Sequence, residues 1–170
     1  MSEKLLRRTI GGRKTPADQR GVYADAEVTL EVQDLSRRAP SARAAAALGV
    51  TASQEVLTRF RVQAVDGVRV QIAATYFPDK VAEALPVLAE ANTGAGGFLA
   101  RLEEAGHELD VARSVIDAVN ADAATAAALA VDEGTALIRE VWTVKDTASG
   151  EVLAATENLA VGGLVEYVLD

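Results

Sequence analysis

The sequence predicts an α+β fold, a duplicated motif forming one antiparallel sheet flanked by helices, and three observations carry that expectation. First, the chain meets itself at a shift of 81 residues: Ala45–Leu48 falls on Ala126–Leu129, Val50 on Val131, and Ile72–Thr75 on Leu153–Thr156. Second, the order of elements coincides in the two halves, each offering a strand, a short alanine-rich helix and a hairpin. Third, apolar and polar residues alternate along most long runs, the period of strands with one buried face.

Residues 1–24 are rich in Gly, Arg and Lys without a sustained period, which predicts a flexible N-terminal arm. Residues 25–170 then suffice for one domain with a sizeable core. AEVTLEVQDL puts Val28, Leu30 and Val32 on one side of a strand. Pro40 or Ser41 opens a short helix that runs to Leu48 and closes at Gly49. VLTRFRVQAV and VRVQIAATYF flank Asp66-Gly67, a strong short-range hairpin signal. After Pro78, DKVAEALPVLAEA reads as a helix broken or kinked at Pro86. A glycine-rich lead-in opens an amphipathic helix that stops at Gly106. LDVARSVIDAV reads as one long strand and DAATAAALAV as a short helix. ALIREVWTVKD and GEVLAATENLAV make a second hairpin, and LVEYVL a last strand.

Residues 40–62, PSARAAAALGVTASQEVLTRFRV, imitate a DNA-reading helix-turn-helix. The segment after the turn would have to be a helix lying in the major groove, yet VLTRFRVQAV is β-branched and alternating. Charge argues the same way. The first fifty residues hold nine Lys/Arg against six Asp/Glu, and the remaining 120 hold eight against nineteen. A surface of that sign repels phosphates. No run of about eighteen apolar residues spans a membrane, and the basic N-terminus lacks the apolar core of a signal peptide. The absence of cysteine fits a cytoplasmic chain.

Groups for catalysis are scarce. The single histidine, His107, has no second His and no Cys to complete a metal site, so no metal, cofactor or catalytic residue is expected. Thr93-Gly94-Ala95-Gly96-Gly97 precedes a helix and offers either backbone N–H groups to an anion or only a flexible loop. A two-residue Asp66-Gly67 turn would set Gln63 against Val70, Arg61 against Ile72 and Arg59 against Ala74. One face would then carry Arg59, Arg61 and Gln63 with Val68, Val70, Ile72 and Tyr76. Two guanidiniums on an apolar face need partners. Either Glu140 and Glu157 pair with them, or an anionic ligand does, held bidentately.

Several segments in series resemble the UTRA domain: Leu48-Gly49-Val50, residues 56–62, Asp66-Gly67, Thr75-Tyr76-Phe77-Pro78, residues 97–102, Gly106-His107, and Leu129 to Gly134 before Leu137-Ile138-Arg139. This is the effector-binding domain of HutC-type GntR-family bacterial regulators, which shares its fold with chorismate lyase. The resemblance covers about residues 25 to 170. It implies a dimerising domain that binds a small metabolite, anionic or partly apolar, between the sheet and its loops. DNA contact would come only through a winged-helix domain, which this sequence lacks. Arg59 and Arg61 match the family's arginine pair, and Gly96 and Gly97 fall where the family's helix start often carries a hydroxyl residue. Ala73 stands where a glutamate is common. The effector site implied is Arg59, Arg61, Thr75, Tyr76, Gly96, Gly97, Phe98 and Glu157. The rival readings are a chorismate lyase-like enzyme, with Glu157 as general acid, and a purely structural dimerisation domain.

Overall fold

The computed structural model describes residues 6–10, 28–111 and 113–169. Nine strands and four α-helices follow in this order: β1 Leu6–Ile10, β2 Val28–Arg38, α1 Ala42–Leu48, β3 Val56–Val65, β4 Val68–Phe77, α2 Asp79–Ala84, α3 Gly97–Glu104, β5 Leu109–Asp110, β6 Ser114–Asn120, α4 Ala123–Leu129, β7 Ala136–Asp146, β8 Val152–Val161 and β9 Val165–Leu169. Of the break or kink expected at the proline, the structure shows a break: Leu85 leaves helical geometry after α2, and a separate 3-10 turn, Pro86–Ala89, follows. Strands β2-β3-β4-β8-β7 form an antiparallel sheet closed at one edge by β5 and β6, which both pair with β7. The predicted α+β class is the observed one. Within the expected arm, β1 pairs in parallel with β9; the remainder of residues 1–24 lies outside the described residues.

The two halves meet at the sheet centre, where β4 pairs with β8 and Thr75 stands directly opposite Thr156. These residues are 81 positions apart, the shift at which the sequence repeats, and their hydroxyls hydrogen-bond at 3.0 Å. An internal twofold therefore passes between them. It relates α1 to α4 and the first hairpin to the second.

Two sequence expectations need correction. The predicted long strand at Leu109 is two pieces, β5 and β6, with Val111 and Arg113 outside either strand. The hairpin register also differs. Asp66 and Gly67 take positive φ as a tight turn requires, and Val65 does face Val68. The ladder then shifts between Gln63 and Ala64, because Val70 is an extra residue on β4. Beyond the bulge Gln63 pairs with Gln71, Arg61 with Ala73 and Arg59 with Thr75. One added residue turns the strand over, so Ile72 and Tyr76 share the face of Phe60, not that of the arginines.

The middle strands β3, β4, β7 and β8 are largely buried, while β6 is mostly exposed. Helices α1 and α4 cover one face, packing Leu48 and Leu129 against Val56, Val62, Ile72 and Leu137. Helices α2 and α3 and the 3-10 turn cover part of the other, burying Leu88, Leu99 and Leu102 against Phe77, Trp142 and Leu153. No helix among the described residues is long and apolar enough to cross a membrane.

Candidate functional site

The arginine-bearing face is built from alternate residues of β3, β4, β8 and β7. Arg59 is only 2% exposed. Its guanidinium donates to three backbone carbonyls where the 3-10 turn ends: Leu88 at 2.7 Å, Glu90 at 2.5 Å and Ala91 at 3.1 Å. Its Nε has no hydrogen-bond partner. Among the described residues no carboxylate lies within ion-pair distance of it. Burial first, and then the Arg61 guanidinium, pull its pKa down to about 10, which leaves it a cation at neutral pH. Arg61 lies two residues along on the same face, opposite Ala73.

The expected pairing of Arg59 with Glu140 or Glu157 is not made. Glu140, fully buried, accepts from Ser114 Oγ at 2.7 Å and from Asn158 Nδ2 at 3.2 Å. Gln71 Nε2 donates to Gln63 at 2.7 Å and to Asn158 at 3.4 Å. A buried polar ladder thus runs from β3 to β6 beside the arginines. Sequence reading missed it, because its members come from five strands and only the register aligns them. The alternation of Gln63, Gln71 and Asn158 with apolar neighbours was the available signal.

The glycine-rich loop stands at the start of α3, whose N-cap is Gly96. A Cβ on Gly96 would lie 2.7 Å from the Ala100 Cβ, so the helix start needs glycine. Two of the loop's amides are already used: Gly94 N–H donates to Asn92 Oδ1 and Gly97 N–H to the Gly94 carbonyl. Phe98 sits edge-on to Phe77 at 5.4 Å and stacks on Trp142 at 6.2 Å, a packing position.

Tyr76 and Glu157 lie on the opposite face. They line a hollow of about 290 Å³ between the sheet and α4, with Thr58, Phe60, Ile72 and Ala74 among its walls. Ser41 caps α1, accepting from the Ala44 amide, and donates to Glu157 Oε1 at 3.0 Å. Burial raises the Glu157 carboxyl, against the lowering effects of Ser41, Arg139 and Arg43. Burial likewise pushes the Tyr76 phenol up to about 12, with Glu157 adding to it. The eight residues expected at one site therefore divide. Arg59, Arg61 and Thr75 share one face, Gly96, Gly97 and Phe98 lie on the α3 segment packed over that face, and Tyr76 and Glu157 occupy the other.

This fold is shared with solved structures of regulator effector domains. The chain aligns over 100% of its length with 98% of the crystal structure of the PhnF C-terminal domain, at TM-score 0.72 and 17% identity. The effector domain of PhnF from Mycobacterium smegmatis aligns at TM-score 0.62 and 26% identity, over 84% of this chain and 85% of that one. The C-terminal domain of the histidine utilization repressor from Pseudomonas syringae pv. tomato aligns at TM-score 0.60 and 19% identity, over 82% and 93%. Comparison with curated proteins gave no match. A sequence model of the UTRA domain matches residues 24–161. The chain belongs to the UTRA domain family.

Proposed function

We propose that this chain is the small-molecule effector-binding and dimerisation domain of a HutC-type GntR transcriptional regulator in the bacterial cytoplasm, with DNA contact supplied by a separate winged-helix domain. The observation that carries the effector site is Arg59, a buried cation held by carbonyls and by no carboxylate among the described residues. Main-chain carbonyls engage its two terminal nitrogens, leave Nε without a partner among the described residues and bring only partial charge; an anionic group brings a full one. An anionic effector reaching Arg59 and Arg61 would displace the 88–91 carbonyls. The 3-10 turn and the α3 start would then move together. The ligand thereby favours one of two arrangements, which is the thermodynamic requirement for a switch.

The test is a thermal-shift screen with phosphorylated and carboxylated metabolites. A binder at a hundred times its Kd stabilises by about 2.7 kcal/mol, roughly 5–10 °C for a domain of this size. Arg59→Lys, which keeps the charge but loses the fork, is expected to abolish that rise. Saturation by a ligand that Arg59→Lys does not weaken would refute this site, and chorismate turnover would favour the lyase-like rival. Sedimentation at micromolar concentration tests the dimer.

A further inference from the structure

The hollow on the other face is a site in its own right. Strand register sets its floor: Glu157, Ala74 and Phe60 stand in one row across β8, β4 and β3, with Ala155, Tyr76 and Thr58 in the next. Ala74 supplies only a methyl group between the carboxylate and the phenyl ring, and that shortfall opens the space. Ala124, Thr125 and Ala128 of α4 form the wall, again with small side chains. At about 290 Å³ the hollow matches the low end of small-molecule sites, which run from roughly 300 to 1,000 Å³.

Its chemistry is directional. Glu157 is 8% exposed. Ser41 engages its Oε1, while Oε2 accepts no hydrogen bond from the described residues. Arg139 and Arg43 direct their ion pairs to Asp117, at 2.6 and 2.9 Å, and neither reaches Glu157 within ion-pair distance. A desolvated carboxylate is costly unless a cation or donors meet it. The ring beside it already shows the same preference: the Arg38 guanidinium sits over Phe60 at 4.9 Å.

The other half carries a basic recess for comparison. A groove of about 360 Å³ lies beside α1, β6 and β7 and shares three positions with the hollow under the 81-residue shift: Val141 for Phe60, Ala47 for Ala128 and Arg43 for Ala124. That groove is lined by Arg43, Arg113 and Lys145.

We propose that the Glu157 hollow binds a small amine with an apolar body, its ammonium donating to Glu157 Oε2 beside the rings of Phe60 and Tyr76, its hydrocarbon lying on Ile72, Leu159 and the α4 alanines. This site lies across the sheet from Arg59, so it holds or fails separately from the anion site proposed above.

The probes are phenethylamine, 2-phenylethanol and 3-phenylpropionate, titrated into the full chain with NMR shifts read at Ile72, Leu159 and Ala128. The amine is expected to saturate and to bind at least tenfold more tightly than the alcohol. Glu157→Gln should weaken the amine at least tenfold, and Ala128→Leu should abolish its binding by filling the space. Lys145→Ala, in the basic groove of the other half, should leave it unchanged. Should Glu157→Gln not fold, Ala128→Leu decides alone: loss supports the site and unchanged affinity overturns it. Equal binding of amine and alcohol, preference for the carboxylate at these residues, or no saturable binding of any probe overturns it as well.

Discussion

Arg59 and Glu157 are opposite charges buried on opposite faces of one sheet, and each makes a distinct prediction. Arg59 ties β3 to the end of the 3-10 turn through three carbonyls. Arg59→Leu leaves those carbonyls without donors, and its expected cost is about 2–4 kcal/mol, measurable by urea unfolding. Glu157 behaves differently. Its carboxyl is raised from the ordinary value of 4.5, chiefly by burial, so the folded protein holds that proton more tightly than the unfolded chain does. The carboxyl therefore adds stability at acid pH, and the advantage is lost as pH climbs from 4.5 through the raised value. Glu157→Gln should flatten that part of the stability–pH curve and should unfold at higher denaturant than the parent at pH 7. A parent curve with no fall across that window would contradict the burial argument.

Among the elements, α1 and α4 are twins that close differently. Both are seven residues long and both have a side-chain N-cap, Ser41 in one and Asp122 in the other. Left-handed backbone ends each, supplied by Gly49 after α1 and by Ala130 after α4. A non-glycine residue there costs about 1–2 kcal/mol. Ala130→Gly recovers part of that against added unfolded-state entropy, and a gain of roughly 0.5–1 kcal/mol in chemical denaturation is expected. The ends of α1 and the Asp66-Gly67 turn were legible because each rests on a local signal. The bulge at Val70 was not, since nothing in VRVQIAATYF separates a bulged strand from a straight one. That single residue decides which face meets Tyr76. It is why the site anticipated as one cluster divides in two, although Arg59 and Thr75 were correctly set on neighbouring strands.

At the scale of the whole molecule, the duplication was legible from the 81-residue shift, and the sheet places its axis between Thr75 and Thr156. What no single segment announces is how far the halves have diverged. Arg59 of the first half corresponds to Glu140 of the second, and Tyr76 to Glu157. The first pair now gives one cation pinned to carbonyls and one carboxylate within a polar ladder. The second pair meets across the axis to wall one hollow. The chemical asymmetry of the sheet therefore lies in the differences between equivalent positions, which the 81-residue shift pairs one by one.

The facing threonines have one more consequence. An antiparallel pair centred on equivalent residues is self-complementary, so the surface that joins the halves could equally join two separate copies of one half. A single-motif chain carrying β2 to α3 would be expected to close by laying its own β4 against a second β4, Thr75 to Thr75. In such a pair both halves would necessarily be identical, and the contrast between Arg59 and Glu140 could arise only after the two motifs were joined in one polypeptide.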